Sequence, residues 1–380
     1  MIGEVRIENY KSIQKLKLEL GRVTVLIGEN GCGKSNILEA IALASAAADD
    51  KLDNEFLASR GIRVTEPQLM RSAFEKENLD KDISIEIRGN NDTIKISFIL
   101  NNDNTPYARW INHFYYGISE NERNLEIAYR QLPSWEYNSF LNSRNEQYQS
   151  IRKTNIKTLK LQEFLIYSPE NLALRTFEKE GQIQPLGING EGLFKLINFL
   201  NLDSNQDRLN EIKEKLGLID WFKNFEVPKN LAALQNSLQI ADRYLDNDLT
   251  YFDQRSSNEG FLLLLFYFTL FISDLTPQFF AIDNIDASLN PRLCRRLMQE
   301  LVELATKHDK QVIFTTHNPA ILDGLDLDDD EQRLFVISRN QLGYTKARRI
   351  LKPKPLEGQE PVKLSEAFLR GYIGGLPKNF

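Results

Sequence analysis

Hydrophobic and polar residues alternate along the first 27 positions of the chain. The apolar positions in this stretch are Val5, Ile7, Leu16, Leu18, Leu20, Val23, Val25 and Ile27. Such alternation is typical of strands that bury one face, and it predicts two strands before a glycine-rich turn. After the turn, helical spacing is followed by Ile37, Leu38, Ile41 and Ala42. The predicted order is therefore strand, glycine-rich loop, helix.

Two further alternating runs make up residues 83–100, which read ISIEIRGNNDTIKISFIL and predict a hairpin. Residues 101–155 are rich in Asn and Gln, but they carry the aromatic residues Trp110, Phe114, Tyr115, Tyr116, Trp135 and Tyr137. Disordered linkers are poor in aromatic residues, so we expect this segment to be ordered. An inserted subdomain, a partner surface and an extension of the sheet with polar loops all remain open.

Residues 205–250 have a mainly helical pattern. One stripe contains the apolar residues Leu209, Ile212, Leu216 and Ile219. The stripe lasts barely two turns before Pro228, which is too short for a coiled-coil arm.

From residue 256 onward the pattern predicts alternating helices and strands. A wholly apolar run over 260–273 predicts a buried helix, and the run QFFAID predicts a strand ending at Asp283. A helix is predicted over Pro291–His308, with Asn290 as its N-cap, followed by the strand QVIFTTH ending at His317. The apolar stripe of that helix is Leu293, Leu297, Leu301 and Leu304. We therefore predict an α/β fold with a mainly parallel sheet that is covered on both faces, together with additional antiparallel strands and a helical lid.

Composition narrows the class of protein. The chain has 380 residues and a formal net charge of −6, so nucleic-acid binding would need a local basic patch. Its two cysteines, Cys32 and Cys294, favour a reducing compartment. No signal-peptide core is visible at the N-terminus, and the apolar run at 260–272 is too short to span a bilayer. We therefore expect a cytoplasmic protein.

The glycine-rich turn carries the strongest chemical signal. Residues Gly28–Ser35 read GENGCGKS and fit the pattern G-x-x-x-x-G-K-[ST], and we call them the phosphate loop. The glycines let backbone N–H groups face phosphate oxygens, Lys34 would reach the β and γ phosphates, and Ser35 would ligate magnesium. The predicted ATP contacts are Gly28, Glu29, Asn30, Gly31, Cys32, Gly33, Lys34, Ser35 and Asn36. For Cys32, tolerance of a small side chain is a simpler interpretation than redox sensing.

Asp283 is predicted to hold magnesium together with Ser35, because it ends an apolar strand. The next position holds Asn284, and an amide cannot accept a proton from an attacking water. Either hydrolysis is slow and ATP acts mainly as a binding switch, or a nearby carboxylate such as Asp286 substitutes. We favour slow hydrolysis.

His317 follows Asp283 by 34 residues, a spacing that fits one strand-helix-strand unit and puts both residues on the same sheet edge. Its imidazole there would hydrogen-bond the γ-phosphate and the attacking water. Ahead of the buried helix, residues Ser256–Gly260 form a possible second anion site or an ordinary N-cap, and the two interpretations are compatible.

Together, VTVLIGENGCGKSNILEAI, SSNEGF, AIDNIDASLN and TTHNP resemble the ATP-binding-cassette heads of the SMC and RecF group. They look most similar to the compact AAA-type ATPases of the OLD, Gabija and Septu defence systems, and IENYKS resembles the IxNFKS opening of that group. The resemblance covers about the first 45 residues and 255–340, with a weaker likeness at LSEAFLRGYIGGLP.

The resemblance implies a head-to-head homodimer, or a higher homo-oligomer, with ATP and Mg²⁺ between the subunits. The signature motif would be Ser257–Gly260, in which Ser257 and Gly260 contact ATP held by the other subunit, and the D-loop would be Ser288–Asn290. Asn284 departs from the usual Glu, and SNEG departs from the usual signature, which leaves the contacting serine open. Gln162 is a candidate for the Q-loop.

Two features of other members of this group are absent from the sequence, and their absence narrows the expected function. The lack of a coiled-coil arm argues against a chromosome-tethering protein, and the 36 residues beyond Tyr344 are too few for a fused nuclease. We therefore expect a regulatory ATPase of an anti-phage system that controls a separate nuclease or toxin.

The alternative is a DNA repair ATPase of the RecF or SMC kind, and a free-standing housekeeping ATPase is a third possibility. Candidate DNA contacts are Arg292, Arg295, Arg296, Arg348, Arg349, Lys352 and Lys354. The predicted segments are a head made of 1–100 and 255–350, an inserted or sheet-extending region 101–200, a helical subdomain 201–254 and a tail 351–380.

Overall fold

A computed structural model describes the chain at residues 1–90, 93–105, 108–113, 150–151, 153–176, 185–202, 205–228, 237–246, 248–352 and 362–376. The strands are β1 (Ile2–Tyr10), β2 (Ile13–Glu19), β3 (Val23–Ile27), β4 (Ile83–Gly89), β5 (Lys95–Asn101), β6 (Ile111–His113), β7 (Ile166–Tyr167), β8 (Phe222–Glu226), β9 (Gln239–Asp242), β10 (Phe279–Ile282), β11 (Gln311–Thr316), β12 (Gln332–Arg339) and β13 (Thr345–Ile350). The α-helices are α1 (Lys34–Ala48), α2 (Asn54–Ser59), α3 (Pro67–Met70), α4 (Asn171–Thr176), α5 (Leu193–Leu200), α6 (Gln206–Leu216), α7 (Glu259–Ile272), α8 (Pro291–Lys307) and α9 (Leu364–Leu369).

The first sheet is antiparallel, with strand order β2-β1-β4-β5-β6. The hairpin predicted over 83–100 is confirmed as β4 and β5. The prediction of two strands within the first 27 residues is wrong, because the stretch forms three strands. Strands β1 and β2 pair with each other, whereas β3 belongs to the second sheet. Asn9, near the end of β1, and Lys11, between β1 and β2, adopt left-handed conformations (φ 59° and 44°), without the Gly or Pro that would signal a turn.

The second sheet has strand order β13-β12-β3-β11-β10-β7, and only β13 runs antiparallel to its neighbour. Neighbouring residues of β3 point into different cores: Val25 faces the core around α7 and α8, and Leu26 faces the core around α1 and the first sheet. The prediction of a mainly parallel sheet covered on both faces, with additional antiparallel strands, is therefore confirmed. This arrangement buries both faces of β3, and all five of its residues are buried, four of them apolar and the fifth Thr24.

The apolar run predicted as a buried helix is α7, in which every residue from Phe261 to Ile272 is buried. Helix α8 has a different surface: Leu297, Leu301 and Leu304 are buried, while Leu293 is half-buried. Asn290 caps α8, because its side-chain oxygen accepts a hydrogen bond from the Leu293 N–H at 3.0 Å. No helix in the described part of the chain is long and apolar enough to cross a membrane.

The mainly helical pattern predicted for 205–250, and with it the helical subdomain 201–254, is wrong in its second half. Helix α6 ends at Leu216, and β8 and β9 then pair as an antiparallel hairpin. Phe222 and Phe225 are buried on β8, so tertiary contacts with the core decide the conformation of this segment. The other segment boundaries stay predictions.

The aromatic segment 101–155 is described in part. Trp110 is buried, and β6 adds an edge strand to the first sheet through its pairing with β5. Outside the described residues lie Phe114, Tyr115, Tyr116, Trp135 and Tyr137.

Candidate functional site

Three parallel strands bring the predicted site residues together at one edge of the second sheet. Strand β11 lies between β3 and β10 and pairs with both in parallel. The phosphate loop follows β3, Asp283 follows β10 and His317 follows β11, so all three lie at the carboxyl ends of adjacent strands. In open α/β sheets this edge is where ligands bind.

Asp283 is held by hydroxyl groups on both sides. The Ser35 hydroxyl donates to its Oδ2 at 3.0 Å, and the Thr315 hydroxyl donates to its Oδ1. The Asp283 backbone N–H donates to the Tyr167 carbonyl at 2.9 Å, which fixes the turn after β10. Ser35 and Asp283, predicted from distant parts of the sequence, are therefore in direct contact. A hydroxyl and a carboxylate placed in this way are oxygen ligands of the type that Mg²⁺ prefers.

Lys34 is folded back over its own loop. Its ammonium group donates to the carbonyls of Gly28 at 2.9 Å and Glu29 at 3.1 Å, and lies 3.5 Å from Nδ1 of His317. The residue is 5% exposed, and this burial lowers the pKa of Lys34. No carboxylate lies within ion-pair distance of this buried cation in the described part of the chain, which favours the approach of an anion.

The backbone of the phosphate loop is supported from behind by Thr345 on β13. Its hydroxyl donates to the Cys32 carbonyl at 2.9 Å and lies 2.7 Å from the Ser12 hydroxyl. Gly33 has φ 107°, and a Cβ there would lie only 2.1 Å from the Thr345 hydroxyl. Only glycine is compatible with this conformation and this contact. Sequence reasoning missed Thr345, whereas Ser12 belongs to the IENYKS motif.

A buried carboxylate, Glu39 on α1, forms a second support. Its side chain is 2% exposed and pairs with Lys11 and with Arg63, whose Nε lies 2.5 Å from Glu39 Oε1. The Tyr10 hydroxyl donates to the same carboxylate at 3.3 Å. Arg63 also reaches the side chain of Asn36, next to Ser35, at 3.3 Å. Nothing in the local sequence pattern indicates this network, because its members come from three separate segments.

The residues around the predicted water position are Asn284, Asp286 and His317. Asn284 is exposed and has φ 55°, and its backbone N–H donates to the Thr315 hydroxyl at 2.9 Å. Asp286 accepts a hydrogen bond from the Thr316 hydroxyl at 2.5 Å. Packing around the ring and the nearby Lys34 ammonium lower the pKa of His317, although Asp286 and Asp283 act in the opposite direction. The neutral imidazole is therefore the favoured form at pH 7.

The residues of the predicted second anion site lie elsewhere. Gly260 lines a cavity of about 910 Å³ at the starts of α7 and α8, which we call the α7/α8 cavity, and no residue of the phosphate loop lines it. Ser257 is 4% exposed, and its hydroxyl has no hydrogen-bond partner among the residues that the structure describes. Asn258 caps α7 by accepting from the Phe261 N–H at 2.8 Å. Within one chain, the cavity and the phosphate loop therefore have separate walls.

The Q-loop candidate is corrected by the structure, and the less favoured redox interpretation of Cys32 loses its support. Gln162, the candidate for the Q-loop, donates to the carbonyl of Ala48 at 3.1 Å. Ala48 ends the 15-residue helix that begins at Lys34, so Gln162 lies about 20 Å from the phosphate loop. The thiol of Cys32 is not acidified at its helix start, because burial raises its pKa.

Most of the predicted DNA contacts near the C-terminus already have partners. Arg349 pairs with Asp330, Lys352 pairs with Asp328, and Arg348 donates to the carbonyl of Ile373. Lys354 lies outside the described residues.

Comparison with solved structures indicates the same architecture. A structure of an SmcHead bound to the C-winged helix domain of ScpA superimposes with a TM-score of 0.55 and 15% identity, covering 92% of this chain and 97% of that one. At this identity the similarity establishes the fold alone, which is that of a P-loop ATPase.

Curated relatives match over shorter stretches. An uncharacterized protein of Methanocaldococcus jannaschii is 40% identical over 67 residues, which is 16% of this chain and 31% of that protein. The DNA replication and repair protein RecF of Bacillus thuringiensis is 38% identical over 55 residues, 14% of this chain and 15% of RecF. The chain thus spans less than a third of the length of either relative.

The sequence model of one protein family matches a much longer part of the chain, residues 23–323. This span begins at β3, includes the phosphate loop, Asp283 and His317, and ends within the short 3₁₀ helix Pro319–Gly324. The chain therefore belongs to the family described as "AAA domain, putative AbiEii toxin, Type IV TA system", and it has the fold of a P-loop ATPase.

Proposed function

We propose that this protein binds Mg–ATP at the phosphate loop, dimerises around the nucleotide, and controls a separate effector protein such as a nuclease or toxin in bacterial anti-phage defence. The observation that carries the nucleotide part is the contact of Ser35 with Asp283, at 3.0 Å, beside the buried ammonium group of Lys34. The family description, which names a toxin–antitoxin system, supports the defence part. The narrower relation to OLD, Gabija and Septu ATPases rests on the sequence motifs.

Each residue of the site has a defined role in this proposal. When nucleotide binds, oxygens of the β and γ phosphates replace the carbonyls of Gly28 and Glu29 as the hydrogen-bond acceptors of Lys34. Ser35 and Asp283 would hold a magnesium ion through their side-chain oxygens, which already lie in contact. Magnesium, when bound, neutralises charge on the β and γ phosphates.

Hydrolysis is slow in this proposal. When water attacks the γ-phosphorus and the bond to the β-phosphate oxygen breaks, the water must lose a proton to a base. Asn284 cannot accept it. Asp286 is the alternative carboxylate among the predicted site residues, but one of its oxygens accepts a hydrogen bond from the Thr316 hydroxyl. ATP therefore acts mainly as a binding switch.

A second candidate function is DNA repair, which the RecF similarity over 55 residues favours. It predicts ATP-dependent DNA binding by the isolated chain, and this binding should weaken steeply with salt. A defence regulator is instead expected to need its effector, and cells that carry both genes should lose phage protection when Lys34 is changed to Ala.

Calorimetric titration with Mg–ATP tests the nucleotide site. Lys34→Ala should weaken binding on the order of 100-fold, since a hydrogen bond between charged groups contributes about 1.5–3 kcal/mol. Lys15→Ala, on the exposed Lys15–Glu8 pair, is the matched control and should bind like wild type. Equal affinity of wild type and Lys34→Ala would contradict the proposed site.

Turnover measurements separate the two hydrolysis schemes. Introducing a base with Asn284→Glu should raise ATP turnover about 100-fold or more, because general-base catalysis contributes at least that factor. If the wild type already hydrolyses ATP rapidly and Asp286→Asn slows the turnover, Asp286 is the base. The interpretation of ATP as a binding switch then fails.

A further inference from the structure

The segment that follows α9 reads GYIGGL, residues 371–376, and its three glycines have left-handed backbone conformations. The angle φ is 74° at Gly371, 72° at Gly374 and 87° at Gly375. An L side chain is strained in this conformation, which favours glycine at all three positions. Gly371 ends α9, and we call residues 372–376 the α9 turn.

Hydrogen bonds fix the α9 turn to its neighbours. At the end of α9, the N–H groups of Gly371 and Tyr372 donate to carbonyls of the last helical turn at 2.9 Å, in the pattern of a Schellman motif. The Arg348 guanidinium on β13 donates to the carbonyl of Ile373, whose side chain is buried. The α9 turn is therefore held by α9 on one side and by β13 on the other.

Helix α9 is itself attached to the segment that follows His317. The backbone N–H and the hydroxyl of Ser365 donate to the two carboxylate oxygens of Asp323, at 2.9 and 2.7 Å. Asp323 belongs to the 3₁₀ helix Pro319–Gly324, which begins two residues after His317. The α9 helix thus contacts the chain just beyond one predicted site residue, and its turn reaches a second one.

That second residue is Gly28, the first residue of the phosphate loop. A Cβ on Gly375 would lie 3.8 Å from the Gly28 Cα and 2.8 Å from Cγ1 of Val336 on β12. Val336 is buried and pairs with Ile27, directly before Gly28. Because a β-branched side chain has little freedom to move, a side chain at position 375 would have to displace the strands or the turn.

Gly28 is also confined by its other neighbours. A Cβ on Gly28 would lie 2.1 Å from the Ile337 carbonyl oxygen. The Gly28 carbonyl accepts a hydrogen bond from the Lys34 ammonium group at 2.9 Å, and its backbone is a hydrogen-bond partner of the His317 ring. Since closely packed groups transmit displacements, a shift of the α9 turn moves Gly28 and changes the surroundings of Lys34.

We propose that the α9 turn is a positioning element of the nucleotide site: it holds Gly28 in the place from which Lys34 reaches the phosphates, so its geometry sets the affinity for Mg–ATP. This inference rests on the proposed function and identifies a segment through which the affinity of the same site can be regulated. Gly375 and Arg348 are positioning residues, since they act on the nucleotide through Gly28. The competing interpretation is that the turn only fills the core, and it predicts lower stability with unchanged nucleotide affinity.

Two glycine variants separate these interpretations. Gly375→Ala and Gly371→Ala add the same methyl group at left-handed positions, so their backbone strain is similar. The methyl group of Gly371→Ala meets only Leu376, at the ordinary contact distance of 3.6 Å. In calorimetric titration with Mg–ATP, Gly375→Ala should bind about tenfold more weakly than wild type, the factor of one lost hydrogen bond, and Gly371→Ala within about threefold of wild type. Urea denaturation shows which variants are folded.

A second pair of variants adds no bulk to the turn. Arg348→Met removes the donor to Ile373, whereas Arg348→Lys keeps one. Arg349→Met is the control on the same strand, because Arg349 pairs with the exposed Asp330. Arg348→Met should weaken Mg–ATP binding about threefold or more, Arg348→Lys should recover part of the loss, and Arg349→Met should bind like wild type. This pair decides the question if Gly375→Ala does not fold.

A double-mutant cycle tests whether the turn acts through Lys34. If Gly375→Ala weakens binding by moving Gly28 away from Lys34, the variant that also carries Lys34→Ala should bind no more weakly than Lys34→Ala alone. A loss that comes from a less stable fold would instead add to the loss caused by Lys34→Ala.

Three results would overturn the proposal: wild-type affinity in folded Gly375→Ala and Arg348→Met, equal losses in Gly375→Ala and Gly371→Ala, or additive losses in the cycle. If wild type itself binds no Mg–ATP, the proposed function fails and this inference fails with it. That result is distinguishable, because it is obtained before any variant of the α9 turn is measured.

Discussion

The phosphate loop and the α7/α8 cavity differ in how far a single chain satisfies their polar groups. Around the loop, Ser35 bonds Asp283, Lys34 bonds two carbonyls, and Thr345 bonds the loop backbone. In the cavity, Arg292 and Arg296 have no ion-pair partner within the described part of the chain. Both regions lie at starts of helices, so helix termini alone do not explain the difference.

The difference indicates which region is complete before a ligand arrives. A buried polar group without a partner costs about 1–3 kcal/mol, so a site that is satisfied internally is rigid and preorganised. A site whose donors lack partners gains more when a ligand supplies the acceptors. We infer that the loop is already formed in the chain by itself, whereas the exposed arginines of the cavity are hydrated in it.

The largest expected effect comes from removing the charge that supports the loop. Glu39→Gln leaves Lys11, whose side chain is 12% exposed, without its carboxylate. The free energy of unfolding should fall by about 3 kcal/mol, because breaking a buried ion pair strands the remaining charge. Urea denaturation measures the change.

The matched control for Glu39 is Glu8→Gln, which removes the Lys15–Glu8 pair at 78% and 47% exposure. Surface pairs contribute about 0–1 kcal/mol, so this variant should unfold almost like wild type. An equal loss of unfolding free energy in Glu39→Gln and Glu8→Gln would show that Glu39 does not stabilise the region of the phosphate loop more than a surface ion pair does.

A smaller effect is expected at the cavity. Asn290→Ala removes the cap of α8 and should lower the free energy of unfolding by about 1 kcal/mol. Asn205→Ala at the start of α6 is the control, since Asn205 makes no side-chain capping bond. If both substitutions are neutral, Asn290 does not stabilise the helix start, and the cavity is less ordered than we infer.

The smallest effect concerns pH on the loop side. The pKa of His317 is lowered from 6.5 by packing and by Lys34, so below about pH 6.5 the unfolded chain binds more protons than the native one. The free energy of unfolding should therefore fall as the pH drops from 6.5 through the folded pKa. Denaturation between pH 5 and 8 measures this pH dependence. The free energy of unfolding should fall less steeply in His317→Gln than in wild type, and Lys34→Met should lie between the two. An unchanged pH slope in both variants would contradict the coupling of Lys34 to His317.

Much of the site could be predicted from local pattern. Gly28–Ser35, Asp283 and His317 each stand at the end of an apolar run, and parallel strands bring such ends to one edge. The supporting residues could not be predicted, because Thr345 lies 313 positions from Cys32 and no periodicity links them. The Q-loop prediction for Gln162 was wrong for the same reason. The local motif does not show that Gln162 contacts the C-terminal end of α1 and not the end that carries the phosphate loop.

The two regions also differ in how their fold could be predicted. Helices α7 and α8 were predicted almost to the residue, since a wholly apolar run and a capped amphipathic stripe are strong signals. The hairpin of β8 and β9 was missed, because its few apolar positions fit helical spacing equally well until the core selects the extended form.

The sequence alone determined the phosphate loop, the strand and helix on either side of it, helices α7 and α8, and the α/β class, because these depend on local spacing and on the burial of apolar residues. Only the tertiary structure decided the support that Thr345 and Glu39 provide and the grouping of Arg292 and Arg296 in one cavity with Asn258. Those relations depend on the approach of distant segments in space. Sequence spacing carries no information on such contacts until the sheet and its helices are assembled.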